Sequence, residues 1–214
     1  MSAPIAPPVL GDMPMRRRRL LPLLALPLLV RRAQAAPAAI RFRILRQGSQ
    51  IGTHHVTFAE ANGELTARTD VDIAVRLMGI TVFRLTHRLT EVWAGDRLRL
   101  VTSRHDRNGT VTEMTARAAE GGILVQGPAG TQRLPAEAAP LTWWNPRYFT
   151  RPLFDSETGE PLRLRWTRTA LPGGAVRWQA TDGEESEGTY AADGTWLDWK
   201  TKGEDGSIVT YERG

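Results

Sequence analysis

The stretch ELTARTDVDIAVRL, from Glu64 to Leu77, carries the clearest strand pattern of the sequence. Apolar side chains recur at every second position, with Thr69 as the exception, and most of the intervening positions are charged. Because successive side chains of a strand point to opposite faces of a sheet, this alternation predicts a strand with one buried and one solvated face. The apolar set is Leu65, Ala67, Val71, Ile73, Val75 and Leu77, and the charged set is Arg68, Asp70, Asp72 and Arg76.

Alternation of this kind continues from Ile40 to Glu212, whereas sustained helical periodicity is nearly absent. We therefore predict an all-β, antiparallel domain, built as a strongly curved sheet or open β-barrel of about ten strands, with a short helix or loop near its mouth. Further strands are predicted at Ile40–Leu45, Gln50–Glu60, Ile80–Trp93, Gly122–Gln126, Leu162–Thr169, Ala175–Thr181, Thr189–Lys200 and Ser207–Glu212.

The turn at Ala94-Gly95-Asp96 sets the pairing of the next hairpin. With Gly95-Asp96 as the two loop residues, Trp93 pairs with Leu98 and Glu91 with Leu100. This register gathers on one apolar face Phe83, Leu85, Leu89, Trp93, Leu98 and Leu100.

The turn around Asn108-Gly109 admits two registers, and a slip of one residue would move every side chain to the other face. A two-residue loop would pair outward Ser103 with Met114. A three-residue loop pairs Thr102 with Met114 and keeps the apolar sets together, so we predict the three-residue loop.

The first 36 residues predict a cleaved signal peptide. Arg16 to Arg19 form a positive region, Leu20 to Val30 an apolar run of 11 residues, and Ala33-Gln34-Ala35 a small-x-small cleavage site. Because this run is too short to span a bilayer, the mature form is not expected to cross a membrane. We expect cleavage near Ala35 or Ala36 and export to the periplasm by the Sec or twin-arginine route.

Residues 37–214 are expected to form a single β domain, with an Ala- and Pro-rich connecting segment at 127–140. Translation could begin at Met1 or at Met15, which directly precedes the arginines. The oligomeric state is left open by the sequence.

Charge argues against nucleic acid as a partner. The whole chain has a formal net charge of +5, but residues 1–36 hold six arginines and one aspartate. The remainder has 22 basic and 22 acidic residues. It therefore lacks the net positive charge that would favour binding to a phosphate backbone. The absence of cysteine excludes disulfides, Cys-ligated metals and thiol catalysis.

No nucleophile-elbow, P-loop, dinucleotide-binding or two-histidine metalloprotease motif occurs. We therefore predict a non-enzymatic protein without a catalytic residue, cofactor or metal. In the register above, His87 faces Arg104, which disfavours a bound cation. Asp70 and Asp72 have a separation found in glycosidase carboxyl pairs, but they share their face with arginines, so a solvated polar face is expected.

Four residues are the predicted ligand contacts: Glu91, Trp93, Trp143 and Trp144. Glu91 is the one charged residue that alternation places on the apolar face, between Leu89 and Trp93. A buried carboxylate is costly unless paired, so Glu91 either lies in a ligand cavity or reaches solvent or an arginine. Trp143 and Trp144 sit where a loop or short helix would cross the mouth of the sheet, as a core plug or as an aromatic lip over an apolar ligand.

Several short motifs recur in one known family. They are Phe42-x-x-x-x-x-Gly48-x-x-Ile51-Gly52, His87-x-x-x-Glu91-x-Trp93, the Asn108-Gly109 turn and Thr142-Trp143-Trp144-Asn145. On these motifs the chain resembles a family of small exported proteobacterial proteins known only as a domain of unknown function. The resemblance implies a β-rich exported domain, similar in general shape to the curved, half-open sheets of periplasmic lipoprotein carriers. It implies no catalytic residue.

Three functions remain open. The first is a non-enzymatic periplasmic binding or envelope-associated protein, which holds a lipid-like or other apolar small molecule against the concave face of the sheet. The second is a structural or protein-interaction module that acts through a sheet edge. The third is a carboxylate-based hydrolase. A cavity lined by Leu, Val and Trp would favour the first, and a filled core with a long unpaired edge strand would favour the second.

Overall fold

The computed structural model describes residues 36–181, 185–203 and 205–214. The predicted signal peptide therefore lies outside the described residues, apart from Ala36. All the strands belong to one compact unit, Gln34–Gly214. No helix in these described ranges has the length and apolar character needed to cross a membrane.

The described residues contain sixteen strands and two short 3-10 helices. The strands are β1 (Ile40–Arg46), β2 (Ser49–Ala61), β3 (Glu64–Leu77), β4 (Ile80–Ala94), β5 (Arg97–Arg107), β6 (Thr110–Ala119), β7 (Gly122–Gly127), β8 (Gly130–Leu134), β9 (Ala139–Pro140), β10 (Leu153–Phe154), β11 (Pro161–Leu162), β12 (Trp166–Ala170), β13 (Val176–Ala180), β14 (Ser186–Tyr190), β15 (Trp196–Lys202) and β16 (Ile208–Arg213). The 3-10 helices span Pro146–Thr150 and Pro172–Gly174.

One antiparallel sheet of 13 strands dominates the molecule, in the order β12-β13-β14-β15-β16-β1-β2-β3-β4-β5-β6-β7-β8. The sheet is not closed, because β12 and β8 at its two ends do not pair. The all-β, antiparallel fold is confirmed. More strands form than the predicted ten, and two of them, β8 and the short β9, lie within the segment 127–140 that was expected to be a connection.

The chain between β8 and β12 packs onto the inner face of this sheet. It holds the small sheet β11-β10-β9 and the first 3-10 helix, where Asn145 caps the start through a hydrogen bond from the Arg147 backbone N–H. Tyr148 and Phe149 of that helix and Phe154 of β10 are buried. The short helix expected near the mouth of the sheet is therefore present, and it contributes aromatic side chains to the core.

A β-bulge in β5 changes the register that the sequence predicts for the β4–β5 hairpin. Trp93 pairs with Leu98 as predicted, but the next pair is Val92 with Leu100, because Arg99 is an extra residue on β5. The predicted pairing of Glu91 with Leu100 is wrong, since Glu91 faces Val101. Leu100 is consequently 39% exposed, whereas Val101 is fully buried.

The bulge also decides the following turn. Because it reverses the alternation of β5, Ser103 points inward and is buried, and its partner across β6 is the buried Met114. Arg107 pairs with Thr110, so Asn108-Gly109 form a two-residue loop. The predicted three-residue loop, with Thr102 opposite Met114, is wrong for this reason.

The β3–β4 hairpin also departs from the predicted pattern near its tip. Inward residues such as Ala67, Val71 and Leu89 are buried as alternation predicts, but Leu77 is 63% exposed. A second bulge, between Val75 and Arg76, shifts the pairing there, and no other strand of the described residues pairs with this end of the hairpin.

Candidate functional site

Glu91 lies fully buried on β4, between two tryptophan side chains. The indole N–H of Trp93 donates to one carboxylate oxygen at 2.9 Å. The indole N–H of Trp144 donates to the other oxygen at 2.8 Å. Glu91 therefore has neither of the two predicted environments, because its partners are indoles rather than an arginine or solvent, and it does not line the cavity described below.

Burial controls the protonation of this carboxyl. It raises the pKa of Glu91 from 4.5 to about 7, although hydrogen bonds from Trp144, Trp93 and Thr142 oppose the rise. A carboxyl with a pKa near 7 is partly protonated at neutral pH, which reduces the cost of burying its charge.

Aromatic contacts extend this arrangement into the segment that covers the sheet. The Trp93 ring stacks on Tyr148 with ring centroids 4.2 Å apart. Trp144 meets Phe58 of β2 edge-on at 5.3 Å and Tyr148 at 5.7 Å. The Trp144 hydrogen bond to Glu91 thus holds the segment around Trp144 against β4, and the stacking of Tyr148 on Trp93 reinforces this contact.

Trp143 points into a different aromatic cluster from its neighbour. Its ring stacks on Trp199 of β15 at 4.5 Å, and it contacts Trp196 at 5.9 Å. The Tyr190 hydroxyl donates to the Trp143 carbonyl at 2.8 Å. The two adjacent tryptophans therefore hold the covering segment to both halves of the sheet, β2–β4 and β14–β15.

A cavity of about 360 Å³ lies between the inner face of the sheet and this covering segment. Trp143 and Trp144 line it together with the loop Asp155–Glu157. The apolar walls come from Val71, Ile73, Leu85, Leu89 and Leu141. Two of the four predicted ligand contacts therefore face the cavity, and Glu91 and Trp93 are not among its lining residues.

The loop Asp155–Glu157 is held in place by its own backbone and by a close approach to the sheet. The Asp155 carboxylate accepts from the backbone N–H groups of Glu157 and Thr158 at 2.8 and 2.7 Å. Gly159 has φ +82°, and a Cβ there would lie 2.5 Å from Val125. Only glycine lets the loop return so close to β7 in this conformation.

Three histidines form a row across the inner face beside the cavity. His54 of β2 pairs with Val71, Val71 pairs with His87 of β4, and His87 pairs with His105 of β5. The predicted pairing of His87 with Arg104 is wrong because the Arg99 bulge moves His105 opposite His87. All three imidazoles are buried and line the cavity.

Burial keeps these three histidines uncharged. Burial lowers the pKa of His54 from 6.5 to about 3 and that of His87 to about 4. The pKa of His105 is also lowered by burial, although its Nε2 lies 3.3 Å from a Glu157 carboxylate oxygen. His87 Nε2 is hydrogen-bonded to the Ser103 hydroxyl at 2.9 Å. At neutral pH the row therefore offers neutral donors and acceptors.

Four buried polar atoms of the cavity lining make no hydrogen bond of good geometry among the described residues. The Nε2 atom of His105 lies near Glu157 and the Thr142 hydroxyl near Glu91, whereas Nδ1 of His54 and the hydroxyl oxygen of Thr69 have no partner within the described ranges. A buried polar group without a partner costs about 1–3 kcal/mol. The cavity is thus apolar on several sides and carries polar atoms able to bind a polar group of a ligand.

The outer face of the sheet carries ion pairs instead. Arg88 contacts Asp70 at 3.1 Å and Asp72 at 2.7 Å, so both carboxylates of the Asp70–Asp72 pair are bound to one arginine. A shallow depression of about 410 Å³ beside them is lined by Arg68, Arg88, Arg104 and Glu113 among others. In residues 36–181, 185–203 and 205–214, no group of three or more His, Asp or Glu side chains is placed to hold a metal ion.

Sequence reasoning found the tryptophans and Glu91 but missed the histidine row and the Asp155–Glu157 loop. Counted from the Gly95-Asp96 turn, His105 is one residue further away than His87, and the extra residue Arg99 accounts for this difference. His54 joins the row because β2 pairs with β3, and the loop reaches the row by packing onto the inner face of the sheet. A row of histidines with the same inward parity on three strands was the signal available, and the assumed register concealed it.

Comparisons with known proteins extend the observations on the fold. A family model described as "Domain of unknown function (DUF6134)" matches residues 42–214. The predicted resemblance to an uncharacterised β-rich family is confirmed by this match. No curated protein matches the chain.

Two solved structures match parts of the chain. A β-barrel-like protein of domain of unknown function DUF1849 from Brucella abortus has a TM-score of 0.55 at 10% identity, covering 82% of this chain and 94% of that chain. A DUF1089 family protein from Pseudomonas aeruginosa has a TM-score of 0.44 at 13% identity, covering 67% of this chain and 87% of that chain. The first likeness supports a β-barrel-like fold and, at this identity, says nothing of function.

Proposed function

Since the chain belongs to the DUF6134 family, a domain of unknown function, we propose its function from its own cavity. The protein is a non-enzymatic binding protein that holds a small amphipathic molecule between the inner face of the sheet and the Trp143–Trp144 segment. The observation that carries this proposal is a cavity of about 360 Å³ whose buried lining includes unpartnered polar atoms. Ligand pockets in proteins commonly have volumes of roughly 300–1,000 Å³ and few, well-placed polar groups.

The lining indicates the chemistry of the ligand. Val71, Ile73 and Leu85 on the sheet and the two tryptophans would contact an apolar body. His54 and Thr69 would bind an uncharged polar group, such as a hydroxyl or a carbonyl. A formal charge would be disfavoured there, because its burial is costly and burial keeps the nearby imidazoles neutral.

The sheet edges give less support to the interaction-module alternative. The two edge strands, β8 and β12, have five residues each. Short edge strands are a device by which natural proteins avoid edge-to-edge pairing. A cavity lined by Leu, Val and Trp is the feature that favours the binding protein over this alternative.

The carboxylate hydrolase is supported least. Asp70 and Asp72 both contact Arg88 on the outer face, so each of these carboxylates is already paired with a cation. Glu91, the carboxyl with a raised pKa, is enclosed by two indoles and does not line the cavity. A reacting group would need access that this carboxyl lacks.

The proposal is tested by looking for a bound molecule and by filling the cavity. Native mass spectrometry of the protein purified from a bacterial periplasm should show a retained small molecule. A fluorescent fatty-alcohol probe, whose polar group is an uncharged hydroxyl, should bind and be displaced by periplasmic lipid extract. Leu85→Trp, which adds an indole to the cavity wall, should abolish probe binding while the protein stays folded.

A matched control lies one residue away. Thr86 is next to Leu85 on β4, so its side chain points to the opposite face. Thr86→Trp should bind the probe as the wild type does. A folded wild-type protein that retains no molecule and binds no probe would refute the binding function and favour the interaction module.

A further inference from the structure

The tip of the β3–β4 hairpin exposes a group of large apolar side chains. Met78 is 96% exposed, Ile80 70%, Leu77 63% and Val82 55%. Single exposed apolar residues are normal on protein surfaces, but a contiguous group indicates an interaction site. These four residues lie within six positions of the chain, at one apex.

This hairpin projects beyond the sheet. Pairing of β3 with β2 ends at Ile73 opposite Gly52, and pairing of β4 with β5 ends at Leu85 opposite Arg107. The Arg84 backbone still exchanges hydrogen bonds with Asn108, but from Ala74 to Phe83 the described residues of β3 and β4 pair only with each other. An isolated two-stranded ribbon is marginally stable in water, so burial of its apex elsewhere would stabilise it.

The turn geometry does not require an apolar residue. Three other hairpin turns of the chain have the same backbone conformation, a residue with φ of 50–55° followed by a glycine with φ of 77–87°, at Gln47-Gly48, Asn62-Gly63 and Asn108-Gly109. Each places a polar residue where the fourth turn places Met78, with φ 49°. Asparagine adopts this left-handed conformation more readily than methionine. A methionine at this position thus carries a cost in stability that contacts made outside the chain could offset.

The two strand segments that lead to and from this apex carry basic residues. Between Ile73 and Leu89 the chain has three arginines and no acidic residue. Arg88 pairs with Asp70 and Asp72, whereas Arg76 and Arg84 make no ion pair within the described residues. At about 3.3 Å per residue, Arg76 lies roughly 7 Å behind Met78 along the strand.

We propose that this hairpin tip inserts into the surface of an anionic lipid bilayer. Leu77, Met78 and Ile80 enter the boundary between headgroups and acyl chains, a layer roughly 5–10 Å deep for interfacial segments. Arg76 and Arg84 then lie at the level of the anionic headgroups, which attract basic residues near the surface. A ribbon two strands wide offers too little area for the roughly 1,200–2,000 Å² that a stable protein interface buries.

A site-specific fluorophore tests insertion directly, because the chain has no native cysteine. Met78→Cys, labelled with nitrobenzoxadiazole, should show a blue shift and increased emission with vesicles of phosphatidylethanolamine and phosphatidylglycerol. Phosphatidylcholine vesicles should produce a smaller change. Asn62→Cys, in a turn of the same geometry at the opposite end of β3, is the matched control and should stay in an aqueous environment. All variants are purified from the same cells, and their intact masses are measured to confirm that the compared proteins have the same chain ends.

Substitutions test separately the contributions of the apolar apex and of the two flanking arginines to vesicle binding. Met78→Asn should reduce binding to the anionic vesicles at least tenfold and leave the protein folded. Arg76→Gln and Arg84→Gln should each weaken it roughly fivefold, the effect of one basic residue at an anionic surface. Arg97→Gln is the control and should bind as the wild type does, because Arg97 begins β5 opposite Ala94, at the end of β4 far from the apex.

Two results would overturn the membrane proposal. One is a label at position 78 that stays aqueous when the vesicles are present. The other is a concentration-dependent dimer, seen by sedimentation, that Met78→Asn abolishes while vesicle binding is unchanged, because the apex would then contact a second copy. The apex and the cavity are separate surfaces, so Met78→Asn should still bind the fatty-alcohol probe, and failure of one proposal can be told from failure of the other.

Discussion

At the scale of single residues, Glu91 shows how a charged side chain becomes part of a core. Its two carboxylate oxygens accept hydrogen bonds from Trp93 and Trp144, which leaves neither indole N–H unpaired. Trp144 is 53 positions away in the sequence. Glu91 therefore stabilises a tertiary contact, between β4 and the segment that covers the sheet.

We predict that Glu91→Leu destabilises the protein. The substitution removes the acceptor of two buried indole N–H groups, and each such donor left unpaired costs about 1–3 kcal/mol. The free energy of unfolding, measured by urea denaturation, should fall by about 3 kcal/mol. Glu113→Leu is the control, because Glu113 is exposed and its contact with Arg104 lies at 3.6 Å, so a change within about 0.5 kcal/mol is expected there. Equal stability of Glu91→Leu and wild type would contradict the role of this carboxyl.

The raised pKa of Glu91 also predicts a pH dependence. The carboxyl has a pKa of about 7 in the folded protein and 4.5 as the ordinary value, so the folded state binds the proton more tightly. This contribution to stability is complete below pH 4.5 and is lost as the pH rises through about 7. Urea denaturation between about pH 5 and pH 8 should show the loss, at most about 3 kcal/mol, in the wild type and not in Glu91→Gln.

The histidines act in the opposite direction, which makes the comparison with Glu91→Gln necessary. The pKa values of His54 and His87 lie at about 3 and about 4 in the folded protein, below the ordinary value of 6.5. Their contribution to stability is present above pH 6.5 and is lost as the pH falls toward 4. Both proteins contain these histidines, so their effect cancels in the difference. A difference that does not change with pH would contradict the raised pKa of Glu91.

At the scale of the elements, the Arg99 bulge decides which side of β5 faces the core. One extra residue between Leu98 and Leu100 reverses the alternation, so that Val101, Ser103 and His105 point inward. The bulge thereby places His105 in the histidine row and makes a two-residue turn at Asn108-Gly109 consistent with burial of Met114. A strand that reads as simple alternation is in fact two alternating pieces of opposite parity.

This register predicts different effects for two neighbouring truncations. Val101 is fully buried and Leu100 is 39% exposed. Val101→Ala should lower the free energy of unfolding by about 2 kcal/mol, and Leu100→Ala by about 0.5 kcal/mol or less, as measured by chemical denaturation. The register without a bulge predicts the reverse order, so a larger loss for Leu100→Ala would contradict the bulge.

At the scale of the whole molecule, the first and last described strands meet in the middle of the sheet. β1 pairs with β16 on one side and with β2 on the other. The buried Phe42 and Ile44 of β1 belong to the same core as Tyr211 of β16. The sheet therefore depends on both ends of this compact unit, while its open edges lie at β8 and β12.

The position of β1 makes a prediction about export. β1 begins at Ile40, so cleavage near Ala35 or Ala36 would remove no residue of the sheet. We expect the protein recovered from the periplasm to have an intact mass that corresponds to a start at residue 36 or 37. Fractionation of the same cells supplies the control, because any uncleaved chain should remain outside the periplasm. Full-length chain that accumulates in the cytoplasm would contradict both the signal peptide and the location.

Much of the fold could be predicted because it depends on local properties of the sequence. Alternation identified the long strands β3 and β4, Gly and Asn positions marked their turns, and the antiparallel all-β class followed. The same alternation placed Glu91 on the buried face. These features depend on how neighbouring side chains point, which the order of residues determines directly.

Which segments meet depends on the folded chain. Alternation along the sequence predicted the long strands, most of their apolar faces and a carboxylate that needs a partner. The folded chain supplied Trp144 as that partner and, through the Arg99 bulge, set His105 opposite His87 and left Leu100 outside. The physical reason is that a bulge changes no local pattern of hydrophobicity that alternation can detect, and contacts between distant segments depend on the packing of the entire sheet.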